Sequence, residues 1–350
     1  MRTSVADVAA EKLPWLAAPL RRALETQSAH ALLLHGPSGV GQFELAMALA
    51  QGWLCESSTV PIGARPCSVC ASCRLVHAHS HPDLLILAPE AMRGSLGGAA
   101  GEGEEGGEDR SGKKKPSKEI RVDEVRVSVA FTLTTSARGR GKVVVVHPAE
   151  RMNTVAANAF LKTLEEPPGD VRFLLCSAAP DALLPTIRSR CQALMLRLPV
   201  PAEAVAWLAQ QGIAEPAILL GASGGQPQEA LARAEFGIDA SAWCALPRRV
   251  AEGDVSALRG WPLPWVVDAL QKLCHDAASM AAGAPPRYFP AAAISGSGDL
   301  ESLLRYGRDL GRFARHVEHP WIADLSVESL VAQGREALQT PRSLRRDRQI

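Results

Sequence analysis

The sequence predicts an α/β protein in its first 200 residues and an all-α protein after them. Short apolar runs alternate with helical segments before residue 200, and this alternation is typical of a parallel sheet covered by helices on both faces. After Pro199-Val200-Pro201 the chain contains Ala- and Leu-rich helical patterns up to about residue 340. We therefore expect a three-layer α/β domain followed by helical domains.

Apolar runs mark the strands of the expected sheet. Each run is continuous rather than alternating, as expected for a strand that is buried on both faces. Helical patterns separate the runs, for example at 44–54 and 153–166, and the second must end before Pro167. The runs are ALLLH (31–35), DLLILA (83–88), KVVVVH (142–147), VRFLLC (171–176) and, as a fifth, ALMLRL (193–198).

Composition and charge are those of a globular protein. Apolar residues make up 47% of the 350 residues and charged residues 21%, which argues against a disordered chain. The formal net charge of +1 gives no overall attraction to nucleic acid. No run approaches the ~20 apolar residues that cross a bilayer, and the N-terminus has no signal-peptide core. A cytoplasmic protein is therefore expected.

Changes in composition along the chain predict the domain boundaries. A Gly- and charge-rich insertion is expected to be disordered, because it has too little apolar content to offset the entropy of ordering. Its lysines 113–115 would suit a nucleic-acid-binding arm, but the neighbouring acidic residues cancel their field. The expected regions are an α/β domain (1–198) with a Cys-rich module (55–82) and the insertion (90–119), helical domains (199–240 and 241–340) and a basic tail (341–350).

A Gly-rich loop follows the first predicted strand. A working phosphate-binding loop reads G-x-x-x-x-G-K-[ST], in which the Lys contacts the β- and γ-phosphates and the hydroxyl contacts Mg²⁺. Here the glycines remain, but the Lys and the hydroxyl residue are replaced. The loop residues are Gly36, Gly39, Gly41, Gln42 and Phe43.

The third predicted strand lacks the acidic residues of a P-loop ATPase. Such an enzyme ends this strand with carboxylates that hold Mg²⁺ and polarise water. This chain has His147 and Pro148 there, and neither offers a carboxylate. Together with Gln42 and Phe43, these residues predict a degenerate loop without tight MgATP binding or hydrolysis.

Four closely spaced cysteines predict a structural zinc site. A Cys-x-x-Cys hairpin aims two sulfurs at one point, and four thiolates complete a tetrahedral Zn²⁺ shell. A redox pair would use only two of the sulfurs, and free thiols rarely cluster so densely. His77, His79 and His81 lie nearby as substitute ligands, although four sulfurs already fill the shell. The predicted ligands are Cys55, Cys67, Cys70 and Cys73.

Four segments in roughly the first 200 residues resemble the AAA+ clamp-loader subunits of bacterial DNA polymerase III. The most specific are LKTLEEPP (161–168) and SRC (189–191). The replaced loop and strand residues resemble the delta-prime branch of that family rather than the ATP-hydrolysing gamma/tau branch. Gln228 also favours the delta-prime branch, because the motor subunits have a sensing Arg at this position. The segments are HALLLHGPSGVGQ (30–42), the cysteine module C…CSVCASC (55–73) with the following HAHSHPDLLILAPE (77–90), NAFLKTLEEPPGDVRFLLCSA (158–178) and LLPTIRSRC (183–191).

The resemblance implies a P-loop, RecA-like AAA+ domain with a zinc module, a small helical lid domain and a C-terminal helical collar domain. It also implies a non-hydrolysing stator in a hetero-pentameric ring with gamma/tau and delta subunits. Such a ring loads the sliding clamp onto primer–template DNA. Arg190 would then be an arginine finger for ATP bound by the neighbouring subunit, and Arg188 a structural or ring-contact residue.

Other interpretations remain open from the residues themselves. Arg190 alone would be a surface residue before the last strand, and the glutamates 165 and 166 would be solvated or contact another subunit. If the chain is a motor subunit with a non-standard loop, the isolated chain is expected to bind ATP stoichiometrically. If it is a zinc-dependent DNA-binding module, the isolated protein is expected to bind DNA with an affinity that depends on salt. If it is a thiol oxidoreductase, one of its cysteines must have a low pKa.

Overall fold

A five-stranded parallel sheet forms the centre of the N-terminal half of the chain. The computed structural model describes residues 13–27, 29–94, 96, 116–294, 298–317 and 322–339. The strands are Ala31–His35 (β1), Leu84–Leu87 (β2), Lys142–Val146 (β3), Val171–Ser177 (β4) and Gln192–Met195 (β5). Their order is β2-β3-β4-β1-β5, and every neighbouring pair is parallel. The predicted parallel sheet is therefore confirmed.

Helices separate the strands and continue to the end of the described chain. In the N-terminal half they are Ala17–Thr26 (α1), Gln42–Leu54 (α2), Ala71–His77 (α3), Glu90–Arg93 (α4), Val122–Leu133 (α5), Thr154–Glu165 (α6) and Pro185–Arg188 (α7). In the C-terminal half they are Pro201–Gln210 (α8), Pro216–Ala222 (α9), Pro227–Glu235 (α10), Ala240–Glu252 (α11), Leu263–Ala281 (α12), Leu300–Ala314 (α13) and Ala323–Gln339 (α14). Within the described ranges, no helix is long and apolar enough to span a membrane.

The chain divides into two compact units, Met1–Pro199 and Val200–Ile350. The second unit is helical throughout its described elements apart from short turns and loops. The α/β-then-all-α fold class is thus the observed one. The further division of the helical part into regions 199–240 and 241–340 stays a prediction, and the tail at 341–350 lies outside the described residues.

Side chains on both faces of the sheet are buried, which explains the continuous apolar runs. All five residues of β3 are buried, and so are six of the seven residues of β4. On one face, α5 and α6 pack against β3 and β4, where Phe160 meets Phe173 edge-to-face at a centroid distance of 5.4 Å. Helix α2 contacts β1, β3 and β4. Helices therefore cover both faces of the sheet.

The ends of the predicted insertion at 90–119 meet at its base. Ala91 N donates to Ser117 O at 3.1 Å, and Ser117 N donates to Glu90 Oε2 at 3.2 Å. Residues 90–93 form the short helix α4, so order extends into the start of this segment. The stretch 97–115 lies outside the described residues, and its predicted disorder stays a prediction.

The helical unit has its own core around Trp243. The Trp243 ring is fully buried and stacks on Phe289 at a centroid distance of 4.5 Å. The segment that carries Phe289 is held by Asp276, whose side chain is fully buried on α12. Its carboxylate accepts the backbone N–H groups of Arg287, Tyr288 and Phe289 at 2.7–2.8 Å.

Replacing Asp276 by alanine is expected to lower the free energy of unfolding by about 3 kcal/mol or more. Three backbone N–H groups would lose their acceptor, and each buried donor without a partner costs ~1–3 kcal/mol. Urea unfolding followed by circular dichroism measures the loss. The control is Glu301→Ala, because Glu301 is exposed on the same unit and its removal is expected to change stability by less than ~0.5 kcal/mol. Equal stabilities of the two variants would contradict the anchoring role of Asp276.

Candidate functional site

The Gly-rich loop connects β1 to α2 and is closely packed. A Cβ on Gly36 would lie 2.3 Å from the carbonyl oxygen of Leu196, so no larger residue fits there. Gly41 has φ +100°, and a Cβ on it would lie 2.7 Å from Leu13 and 2.8 Å from Leu16. The retained glycines are therefore required by the loop's own backbone conformation and packing, whether or not it binds a ligand.

Gln42 folds back onto the loop that precedes it. Its side-chain Nε2 donates to the carbonyl oxygens of Gly36 at 2.9 Å and of Pro37 at 2.7 Å. The residue is only 7% exposed. Both N–H donors of the amide are thus used by loop carbonyls. A lysine here would extend toward the phosphates, whereas this amide closes the loop on itself.

Phe43 and His147 fill the space beside the loop with aromatic rings. Their ring centroids lie 4.9 Å apart. Burial lowers the pKa of His147, although the nearby carboxylate of Glu150 opposes this shift. Among the described residues, nothing forms a hydrogen bond with the buried His147 Nδ1 or Glu150 Oε2. Pro148 follows His147 and contributes no side-chain ligand for a cation.

The four cysteines predicted as ligands come together in one cluster. Their sulfurs all lie within 4.8 Å of one another, and the Cys67 and Cys73 sulfurs are 3.9 Å apart. A tetrahedron with Zn–S distances of 2.3 Å has sulfur–sulfur edges of about 3.8 Å. Cys55 and Cys73 are fully buried. The cluster could hold a metal ion, and its donor set and spacing fit a closed structural zinc site.

Backbone N–H groups point at the sulfurs of this cluster. Cys67 N donates to the Cys55 sulfur at 3.4 Å, Cys70 N to the Cys67 sulfur at 3.3 Å, and Cys73 N to the Cys70 sulfur at 3.4 Å. Such donors stabilise thiolates, which are the form that binds a metal. The hydrogen bond with Cys73 lowers the pKa of Cys55 to about 4 and raises the pKa of Cys73.

Polar contacts join the cysteine cluster to the sheet domain. Buried Ser72 donates its hydroxyl to Leu54 O at 2.6 Å and forms a second hydrogen bond with His81 Nε2 at 2.8 Å. His81 Nδ1 accepts the N–H of Asp83 at 3.0 Å. Both nitrogens of His81 are therefore used outside the cluster, and His77 and His79 are exposed. None of the three histidines joins the four sulfurs.

Glu56 and Asp83 hold the loop at 136–138 beside the cluster. Arg138 Nε pairs with Glu56 at 2.6 Å, and this hydrogen bond lowers the pKa of Glu56. Asp83 accepts the N–H groups of Ala137 at 2.7 Å and of Arg138 at 2.9 Å. These supporting residues were not predicted, because their partners lie more than fifty positions away in the chain.

Arg190 lies in the turn between α7 and β5, and its guanidinium contacts residues of its own chain. Its Nη2 forms an ion pair with Glu165, the last residue of α6. Its Nη1 donates to Thr186 O at 2.9 Å, and its Nε is buried with no hydrogen-bond partner within the described chain. The side chain remains 33% exposed. Arg188, by comparison, pairs with Asp181 at 2.5 Å.

The five-stranded parallel sheet has helices on both faces and a Gly-rich loop after β1, which defines a three-layer α/β protein with a P-loop-like connection after its first strand. A family model described as "DNA polymerase III, delta subunit" matches residues 16–199, more than half of the chain. The chain therefore belongs to this DNA polymerase III subunit family.

Curated relatives agree with the family match. The chain is 42% identical over 205 residues to DNA polymerase III subunit delta' of Pseudomonas aeruginosa, covering 57% of this chain and 54% of that protein. It is 36% identical over 227 residues to subunit delta' of Escherichia coli K12, covering 63% and 60%. It is 33% identical over 162 residues to subunit tau of Salmonella typhimurium, covering 46% and 21%. The matched part thus spans between half and two thirds of the length of these two delta' relatives.

Proposed function

We propose that this chain is a delta-prime stator subunit of a DNA polymerase III clamp loader. In this role it joins gamma/tau and delta subunits in a hetero-pentameric ring that loads the sliding clamp onto primer–template DNA. Membership of the family and the similarity to subunits named delta' support the assignment. The observation that favours a stator over a motor is the contact of the Gln42 amide with the carbonyls of its own loop.

This contact argues against ATP chemistry by the chain itself. The amide of Gln42 has two N–H donors, and loop carbonyls accept both. The neighbouring position carries a phenyl ring in contact with His147 instead of a hydroxyl for Mg²⁺. Binding of MgATP would have to break the loop contacts and would gain neither the lysine nor the carboxylates that stabilise a triphosphate.

The isolated chain is therefore expected to bind MgATP more weakly than about 1 mM. Equilibrium dialysis with labelled nucleotide measures this affinity. The double variant Gln42→Lys with Phe43→Thr is expected to gain some affinity but no hydrolysis, because His147 and Pro148 still provide no carboxylate for Mg²⁺ or water. Stoichiometric binding and turnover by the unaltered chain would instead identify a motor subunit.

The proposed contribution of the chain to catalysis is Arg190, acting in trans as an arginine finger. A guanidinium is always charged and binds phosphate oxygens through two parallel N–H groups. It can therefore stabilise the charge that develops on the phosphoryl group bound by a neighbouring subunit. Its place in a surface turn, with a third of the side chain exposed, suits contact with another subunit.

The proposed metal is a structural Zn²⁺ ion bound by Cys55, Cys67, Cys70 and Cys73. Four sulfurs close the coordination shell and leave no open position for a substrate. The metal would therefore stabilise the module that follows α2 and would take no part in phosphate chemistry.

Assembly is the direct test of the whole proposal. The chain is expected to co-purify with gamma/tau and delta subunits and to raise the ATPase activity of the motor subunits. Pull-down from a mixture of purified subunits, followed by ATPase assay with and without the chain, measures both effects. Failure to enter the complex, or unchanged turnover on its addition, would overturn the proposal.

A further inference from the structure

Every nitrogen of the Arg190 guanidinium is engaged within the chain or buried. Nη2 pairs with Glu165, Nη1 donates to Thr186 O at 2.9 Å, and Nε is buried without a hydrogen-bond partner within the described residues. A phosphate is bound best by two nitrogens of one guanidinium at once. In this arrangement, no pair of adjacent nitrogens is available without breaking the contact with Glu165 or moving the side chain.

The negative charge of Glu165 also opposes phosphate binding by Arg190. A carboxylate in contact with a guanidinium cancels most of its positive field, and it repels an approaching triphosphate. Glu165 is 47% exposed and Arg190 33% exposed, so the pair is open to solvent and weak. Exposed ion pairs contribute little to stability, so a triphosphate can displace the carboxylate of Glu165.

We propose that Glu165 is a positioning residue that holds Arg190 in a retracted state and competes with the phosphate of the neighbouring subunit for its guanidinium. This proposal rests on the proposed arginine-finger function. When the subunits close around ATP, the Arg190 guanidinium releases the carboxylate of Glu165 and binds phosphate oxygens instead. The exchange makes finger engagement depend on bound nucleotide, and it keeps the cation paired while no phosphate is present.

The first test measures the pairing in the full chain by itself. Phenylglyoxal modifies accessible guanidinium groups, and mass spectrometry of peptides gives the rate at each arginine. Glu165→Gln keeps the shape of the side chain but removes its charge, so Arg190 is expected to react about two- to fivefold faster. The matched control is Asp181→Asn, which removes the partner of Arg188 and is expected to accelerate Arg188 only. An unchanged or slower rate at Arg190 would overturn the proposal.

The second test measures the consequence in the reconstituted complex. Glu165→Gln is expected to raise kcat/KM for ATP at the site that this chain serves by about two- to fivefold at low salt. The gain is expected to shrink above ~0.5 M salt, because salt screens exposed charge pairs. Asp181→Asn is expected to leave kcat/KM unchanged at every salt concentration.

The outcomes separate this inference from the finger function. If Arg190→Ala slows turnover but Glu165→Gln does not raise it, the arginine-finger function is supported and the proposed competition by Glu165 is wrong. If Glu165→Gln slows turnover, Glu165 supports engagement rather than opposing it, and the proposal is overturned. If Arg190→Ala leaves turnover unchanged, both the finger and its control by Glu165 are wrong. A merely structural Glu165 would produce neither a gain in kcat/KM nor its loss with salt.

Discussion

Replacing Arg190 by alanine is expected to slow ATP hydrolysis at the site it faces by about 10³-fold or more. Arginine fingers in other nucleotidases contribute ~10³–10⁵ to the rate, because they stabilise the transition-state charge on the phosphoryl group. Total turnover of a ring with several sites would fall only by the share of the affected site. Single-turnover measurements on rings that carry one competent site therefore give the clearest readout.

The folding of this variant is expected to remain intact. Arg190 lies in a surface turn, and its loss removes a partly exposed ion pair and one hydrogen bond to Thr186 O, worth at most ~1–2 kcal/mol together. Arg188→Ala is the matched control, because Arg188 lies two residues away and pairs with Asp181. Loss of turnover in both variants would indicate damage to the turn or loss of a ring contact by Arg188, whereas loss only in Arg190→Ala would support the finger. Unchanged turnover in the Arg190→Ala variant would contradict the arginine-finger hypothesis.

Arg190→Lys distinguishes a forked contact from a simple positive charge. A lysine retains the charge but cannot bind phosphate oxygens through two fixed, parallel N–H groups. We expect Arg190→Lys to recover only a small part of the lost rate. Full recovery would indicate that only charge matters at this position.

Burial on both faces of the sheet made the fold predictable from sequence. The run of four valines in β3 admits little besides a buried strand, and the helical patterns between the runs imply parallel connections. The cysteine cluster was equally accessible, because Cys-x-x-Cys spacing itself constrains where the sulfurs point. Strand ends were less certain: β5 ends at Met195 rather than at the predicted 198, even though Leu196 N still donates to His35 O at 2.7 Å.

Contacts between distant residues were beyond the reach of sequence patterns. Nothing in the spacing shows that the Gln42 amide folds back onto Gly36 and Pro37, since this depends on the side-chain rotamer. The pair between Glu165 and Arg190 joins residues on either side of β4, and only the folded sheet brings them together. Glu165 is expected from the sequence to be solvated or to contact another subunit. In the structure it is 47% exposed and also pairs with Arg190, and its contact with another subunit stays a prediction.

Loss of one cluster cysteine is expected to have the largest effect on stability. Cys73→Ser removes a buried thiolate from the proposed zinc shell, and structural zinc is bound with ~10–16 kcal/mol in zinc-finger peptides at neutral pH. A part of that energy is lost when three sulfurs remain, so we expect the unfolding free energy to decrease by about 4 kcal/mol or more. The thermal midpoint would then fall by roughly 10 °C.

Metal content and unfolding together test this expectation. Elemental analysis of the purified wild-type chain is expected to find one zinc per chain, and Cys73→Ser is expected to lose it. Cys244→Ser is the matched control, because Cys244 is partly exposed on α11 in the other compact unit. The Cys244→Ser variant is expected to retain the zinc and to unfold at the same thermal midpoint as the wild-type chain. Wild-type protein without stoichiometric metal would contradict the zinc assignment.

Chelation separates a structural metal from a redox pair of thiols. A strong chelator is expected to lower the thermal midpoint of the wild-type chain and to leave that of Cys73→Ser unchanged, because the variant has no zinc to lose. Hydrogen exchange is expected to rise within 55–82 and in the loop at 136–138, since Arg138 is tied to Glu56 beside the cluster. A redox pair would respond to reductant and not to chelator. Exchange that is unaffected by chelation would show that the four sulfurs hold their positions without a metal.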